Sequence, residues 1–433
     1  MFGGGEFIAQ NKVLPGAYIN FVSSRRTAGI FSERGRAAIG LALSWGGGEL
    51  LELEKEGFEK NAQALFGYSH SAPELRPIRE LFLGAKTLLL MRLNKNGAKA
   101  AKTEGELTVT AKHFGSRGND LAVSILKLPE ERFQIITRLS GETVDVQTVK
   151  STSEVKDNAF VSFSFSGQTP TAVAALPLAG GSNGTVTGQA HTEFLAKLEG
   201  QDFQVLAYDG NDSTVKELYV SYTKRMRQEA GVKFQTVVFK KAADFEGVIN
   251  LTTPAKERAE GLIYFTAGIL AGAPVNRSVT SQEYTGEYEV EKEYTLKELE
   301  KGITAGEFLY HKAGGRTLVL SDINCLTSFR PEVPADFSHN QIIRVLDQIG
   351  KDIAAIFCGR YLGKVQNNAD GRISFWAEIT SHAQKLQASG AITDFSDSDI
   401  VVLAGEEKEA VAVSYQVTPA AAMEKLYMTV QVR

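Results

Sequence analysis

The sequence is short of the residues that staple or stiffen a scaffold. It has 2 cysteines, 11 prolines, 2 tryptophans and 5 methionines in 433 residues. Cys325 and Cys358 are too few for a disulfide framework or a four-thiolate metal site. They read as ordinary buried thiols of a protein made in a reducing cytoplasm. A charge excess of either sign is also missing, since Lys+Arg 47 against Asp+Glu 51 leaves a net charge of -4. That balance argues against nucleic acid or an anionic membrane as the main partner, because both select an excess of Lys and Arg. Long apolar runs are absent too. The stretches 81–93 and 263–275 are split by Lys86 and by glycines, well short of the ~18 uninterrupted apolar residues of a membrane span. Residues 1–10 are glycine-rich and lack the basic-then-apolar order of a secretory signal.

What is present is ordinary globular material. Hydrophobic residues make up 43%, charged residues 23%, and there are 41 glycines. A chain of this length holds about two to four domains, with many tight turns and few rigid linkers.

The chemical motifs are weak. The six histidines, His70, His113, His191, His311, His339 and His382, never share the short helical spacing of a zinc site. His339 and His382 read as plain surface residues on helices. Gly180, Gly181, Ser182, Asn183 and Gly184 lack the Gly-Lys-Ser/Thr ending of a phosphate loop. They do match Gly-x-Ser-x-Gly, with Ser182 as nucleophile, but that elbow needs a strand before it and a helix after it. Leu176 and Pro177 make a poor strand and 185–189 a poor helix, so an interdomain turn is the expected reading. The carboxylates at 209–212 and 394–399 miss the offsets of a calcium loop and read as solvated turns. Residues 283–301 carry seven Glu and three Lys. A solvated face or an acidic contact patch would explain them, and Thr295 with Glu298 marks a helix start. Arg360, Lys364 and Arg372 form a sparse basic group. They suit either a helix C-terminus, where cations oppose the dipole, or a contact for an acidic partner. No enzymatic activity, cofactor or metal is expected.

Periodicity divides the chain into six parts. Residues 1–23 read as an arm with a short strand of Tyr18, Ile19, Phe21 and Val22. Residues 24–93 read as α/β, with buried strands at 37–45 and 87–93. Residues 94–179 carry short alternating runs at 106–112, 122–126, 133–139, 143–149 and 160–165, the signature of an inserted β-sandwich-like domain. Residues 180–328 alternate strand and helix, which implies a mixed α/β central domain with parallel pairing. Glycines 314 and 315 mark a hairpin between 307–310 and 317–320. Residues 329–418 read as an α+β domain. Ser338 and Gln341 suggest a capping box, an apolar stripe runs through Ile342, Leu346, Ile349, Ile353 and Ile356, and a second helix carries Trp376, Ile379, Ala383 and Leu386. Residues 419–433 are a closing arm in which Leu426, Met428, Val430 and Val432 alternate with polar residues. This strand could fold back on 411–417 as a hairpin. Otherwise, like the N-terminal arm, it needs a neighbouring sheet edge to satisfy its backbone, which strand donation between copies would supply. Donation from both ends generates rings or open helical assemblies.

Ordered motifs resemble a known family. Asn11, Lys12, Val13, Leu14, Pro15, Gly16, Ala17 and Tyr18 look like the opening of contractile tail sheath proteins of myovirus-type prophages and phage-tail-like bacteriocins. Gly118, Asn119 and Asp120 resemble that family's β-domain motif, and Leu178 to Gly181 the start of its central domain. Ala267 to Gly272 with Asn276, Ser278 and Thr280 are similar to its central segment, followed by Ile323, Asn324, Leu326 and Thr327. Asp352, Ile353, Tyr361 to Val365, Asn367, Asn368 and 423–432 fit its C-terminal domain.

The resemblance implies a sheath subunit made in the bacterial cytoplasm and found in a virion or phage-tail-like particle. It would stack as hexameric rings around an inner tail tube protein, meet baseplate and tail terminator proteins, and contract to drive the tube through a target envelope. It further implies interlocking terminal arms, a subtilisin-like central fold without protease signatures, and a C-terminal domain facing the tube, where Arg360 and Lys364 are the candidate contacts. The competing reading from the residues alone is a soluble α/β hydrolase or ligand-binding protein with a β accessory domain.

Overall fold

In the computed structural model, which describes residues 34–432, the chain sorts into two units. One comprises residues 39–79 and 88–198, the other residues 34–38, 80–87 and 199–432. The four arm residues Tyr18, Ile19, Phe21 and Val22 lie outside the described residues.

In the first unit, alternating runs become two antiparallel sheets. Ala101–Glu104, Leu107–Ala111 and Val161–Phe165 form one, and Val173–Pro177, Leu121–Leu128, Arg132–Leu139 and Glu142–Val149 the other. Period-two alternation sends Leu107, Val109, Val123, Ile125, Phe133 and Ile135 into one shared apolar core. Val173–Pro177 is a strand despite its proline. It sits at the sheet edge, with Pro177 in the last position, where a missing N–H costs least. The expected strand 37–45 is shorter, Arg36–Leu41. The chain turns away beyond it because Trp45 packs into the sandwich core, edge-on to His113 at 5.3 Å.

The glycine-rich turn at 180–184 is fastened rather than reactive. The Asn119 side chain accepts from the Gly181 N–H at 2.7 Å and donates back to its carbonyl at 3.0 Å. Ser182 Oγ accepts the Ala98 N–H at 2.9 Å, and Asn183 Oδ1 accepts from Ser116. Gly184 has φ +71, and a Cβ there would lie 2.0 Å from the Lys95 carbonyl oxygen, so only glycine fits. The helix that follows, Gly188–Leu198, starts too late for an elbow. Arg92 braces the same region from inside. Its Nη1 donates to the carbonyls of Gly46 at 2.9 Å and Phe114 at 2.7 Å, and burial pushes its pKa down to about 10.

The second unit is built on parallel strands. Glu307–Phe308, Val248–Leu251, Gln235–Phe239 and Val205–Tyr208 lie in that order, paired in parallel register. Helix Ser213–Gln228 provides one crossover and is N-capped by Asp212, which accepts from Thr214 and Val215. Helix Leu262–Gly272 is apolar all round and buried from Leu262 through Ala271. Its glycines permit close approach, since a Cβ at Gly268 or Gly272 would meet the carbonyl oxygen of Leu81 or Gly84 at 2.3 and 2.0 Å. Glycines 314 and 315, at φ 57 and 77, turn the hairpin Tyr310–Ala313 with Arg316–Val319. Residues 307 and 308, expected in that hairpin, join the parallel sheet instead.

Several polar readings need correction. The 209–212 turn is not simply solvated, because Asp209 accepts from Arg258 Nη2 at 3.1 Å and from the Tyr264 hydroxyl at 2.8 Å. The acidic stretch 283–301 is largely neutralised at home. Glu283 pairs with Arg316, Glu289 with Lys256, Glu293 with Lys312 and Glu298 with Lys292, which weakens the contact-patch reading. The Thr295–Glu298 capping box does form.

Helices Asn340–Ile356 and Ala369–Ala388 carry the expected stripes, but the first is buried nearly all round up to Gly350. Its charges are therefore paired inside, Asp347 with Arg227 at 2.7 and 2.9 Å and Arg344 with Asp322 at 2.6 Å. His382 is not a surface residue. It is 1% exposed, and its Nε2 lies 3.1 Å from Asp352 Oδ2, because the face of Ala369–Ala388 that carries it packs inward. Cys325 is buried, while Cys358 is only partly so.

Candidate assembly interface

The Ser338–Gln341 capping box does not form. Ser338 Oγ donates to the Ala335 carbonyl, and His339 takes the N-cap position without a side-chain bond. Gln341 is used elsewhere. Its Nε2 donates to the Ala420 carbonyl and its Oε1 accepts the Ala422 N–H, both at 3.1 Å. The chain here is also held by an Ile392–Pro419 bridge and by the Ala420 N–H on the Ala391 carbonyl at 2.9 Å. Glu424 closes the anchor. Its carboxylate accepts from Ser278 Oγ at 3.0 Å, Thr280 Oγ1 at 2.6 Å and Ser321 Oγ at 3.3 Å. Such charge-assisted bonds are stronger than neutral ones.

Beyond Glu424 the chain leaves its own unit's surface contacts. Leu426, Met428, Val430 and Val432 are 84%, 73%, 70% and 93% exposed, and Tyr427 on the opposite face is 89% exposed. Residues 425–432 belong to no strand among the described residues. The expected hairpin with 411–417 does not form, and Val411–Tyr415 pairs antiparallel with Ile400–Ala404 instead. A sequence of alternating side chains thus presents two uncovered faces and an unladdered backbone. Alternating side chains on an unpaired backbone are the chemistry that strand addition uses.

The Ile400–Ala404/Val411–Tyr415 hairpin has the features of an acceptor half. Among the described residues it is a sheet of two strands. Ile400, Val402, Val411 and Tyr415 pack on Phe375 and Ile379 of helix Ala369–Ala388, and the Trp376 indole donates to the Ile400 carbonyl at 3.0 Å. Val401 and Leu403, pointing the other way, are 44% and 60% exposed. The sequence reading missed Ile400–Ala404, and the apolar run Ile-Val-Val-Leu-Ala was the available signal.

The basic group lies near this hairpin's supporting helix. A π-helical turn, Phe357–Tyr361, follows Ile356, and such turns often mark functional positions. Arg360 on it is exposed and paired with Glu378, whose hydrogen bond raises the arginine's pKa. Lys364 is exposed and turns back on the Gly359 carbonyl. Arg372 bonds Asn367 at 2.9 Å. The three are thus tied locally and do not converge on one point. Among the described residues no group of three or more His, Cys, Asp or Glu is placed to hold a metal ion, and no helix is long and apolar enough to cross a membrane.

Comparisons with known proteins agree across the chain. The phage tail sheath protein beta-sandwich domain matches residues 95–183, the central domain 184–325 and the C-terminal domain 332–433. The chain is 30% identical to the phage-like element PBSX protein XkdK of Bacillus subtilis, with 100% of each chain covered. It is similar to a crystal structure of the sheath tail protein from Desulfitobacterium hafniense, at 37% identity and a TM-score of 0.83, covering 96% of this chain and 100% of that one. The anti-feeding prophage helical sheath in its contracted state shares the fold, with a TM-score of 0.55 at 11% identity, covering 96% and 98%. The three domain matches and the full-length relative show that this chain belongs to the phage tail sheath protein family, as a component of a virion or phage-tail-like particle.

Proposed function

We propose that the chain polymerises into a contractile sheath around an inner tail tube and shortens to drive that tube through a target cell envelope. The observation that carries the reading is the exposed, alternating segment 425–432 held at its base by Gln341 and Glu424. In the assembled particle it adds to the two-stranded hairpin Ile400–Ala404/Val411–Tyr415 of a neighbouring copy. Leu426, Met428, Val430 and Val432 then lie on one face of the enlarged sheet. Each added backbone bond contributes roughly 0.5–1.5 kcal/mol net, and each apolar side chain that becomes covered about 1.5–3 kcal/mol at most. Repeated over many copies, such links keep the lattice connected while the bodies repack.

The arm residues Tyr18, Ile19, Phe21 and Val22 serve as a second tether, and Arg360 and Lys364 contact the tube. The central domain is subtilisin-like in fold and has no catalytic duty. Rings of six copies stack along the tube between baseplate and terminator proteins. No nucleotide is consumed, because the extended lattice stores the energy of assembly.

Deleting residues 425–433 tests the proposal. The truncated chain is expected to stay folded, with unchanged thermal unfolding, and to form no tubes in negative-stain electron microscopy. Tubes of normal length from the truncated chain would refute the tether.

A further inference from the structure

Strands Val205–Tyr208 and Gln235–Phe239 begin beside a small cavity of about 10 Å³, room for a single small atom or ion. Four cationic side chains line it, Arg34, Lys233, Arg344 and Lys351, against one carboxylate, Asp347.

The carboxylates in reach are already engaged. Both Asp347 oxygens accept from Arg227 at 2.7 and 2.9 Å. Asp322 accepts from Arg344 Nη2 and from Asn340, and Asp202 accepts from Lys351 at 2.7 Å. The neutral groups are engaged too. Gln204 Oε1 accepts the N–H groups of Gly35 and Arg36, and the Gln235 amide donates to Glu246 and Asn340.

Donors, in contrast, are left over. Arg344 is 2% exposed, yet its Nε and Nη1 have no hydrogen-bond partner among the described residues. Arg34 Nε donates to the Ala273 carbonyl at 2.9 Å, but its Nη1 and Nη2 reach Gln348 Oε1 and the Leu270 carbonyl only at 3.5 Å. Two guanidinium groups therefore share a buried space with N–H groups and few acceptors. A water molecule accepts only two hydrogen bonds and adds donors of its own. An anion accepts from every side and offsets the repulsion between the arginines.

We propose that this cavity binds one halide-sized monovalent anion, chloride under ordinary salt, between the guanidinium groups of Arg344 and Arg34. Arg344 belongs to helix Asn340–Ile356, Arg34 precedes strand Arg36–Leu41 and Lys233 precedes Gln235–Phe239. The ion fastens that helix to the starts of the strands. Burial pushes the pKa of Arg34 down to about 9, with the Arg344 charge adding to the effect, and pushes that of Lys351 downward, against the pull of the neighbouring carboxylates.

Crystals of the full chain soaked in sodium bromide test the site directly. An anomalous peak is expected within hydrogen-bonding distance of Arg344 Nε and Nη1, and its absence overturns the proposal whatever else is measured. Thermal unfolding gives a second readout. The midpoint is expected to rise by several degrees between low and physiological sodium chloride and not with sodium gluconate of equal ionic strength. The chloride effect should be lost in Arg34→Gln, which leaves the Arg344–Asp322 pair intact. Equal midpoints in the two salts for the unaltered chain would also count against the site. Should the variant not fold, the bromide map decides.

Discussion

The sandwich strands and the chain's last residues carry the same alternation and meet different fates. In Leu121–Leu128 and Arg132–Leu139, every other side chain is apolar and the two strands are laddered along their whole length. Ile135 is fully buried and Val123 likewise. In 425–432 the pattern is as regular, yet Leu426 and Val432 stand in solvent. Alternation specifies which side chains share a face. It does not specify what covers that face or which strand supplies the hydrogen bonds. In the sandwich a turn of a few residues brings the partner strand alongside. For the tail the preceding strand in sequence, Val411–Tyr415, pairs with Ile400–Ala404, and no turn brings the tail back alongside it.

The comparison can be broken at either end. Ile135→Ala should cost about 2–5 kcal/mol of stability through a cavity in the sandwich core, read as a lower urea midpoint with an unchanged slope. A cost near zero would mean that the sandwich face is as dispensable to folding as the tail. Leu426→Ala with Met428→Ala should leave the urea midpoint of the unassembled chain within error and raise the concentration needed for sheath formation about tenfold or more. Sedimentation across a concentration series measures this, and a stability loss without an assembly defect would place those side chains in the chain's own fold. The smallest change is Glu424→Ala, which removes the acceptor of three hydroxyls. It should cost no more than about 1 kcal/mol while speeding hydrogen exchange at the Ala422 amide. Unaltered exchange there would show that Gln341 and the contacts of Pro419 and Ala420 fix the tail's base without Glu424.

Much of the fold was legible because its signals are local. Helix Leu296–Thr304 announces itself by Thr295 and Glu298, since capping involves residues two or three apart. The sandwich strands follow from period two. What failed was long range. Ser338 and Gln341 have the spacing of a capping box, but Gln341 answers to Ala420 and Ala422, some eighty positions away. His382 reads as surface until Asp352 on another helix is known to face it. Ile400–Ala404 hid among the carboxylates that precede it. Asp209 looked solvated because nothing nearby in sequence foretells Arg258 and Tyr264. At the interface, the tail's pattern was visible while its anchor was not. Ser278 and Thr280 entered only through family likeness, and their shared task at Glu424 is a matter of geometry.

The fixed base of the tail also sets a leash. Residues 425–432, fully extended at about 3.4 Å per residue, reach at most about 27 Å from Glu424. Any strand that pairs with residues 425–432 must lie inside that radius, in every arrangement the copies adopt. Neighbours can turn, slide or separate, but only along paths that keep their docking edge within the tether's circle.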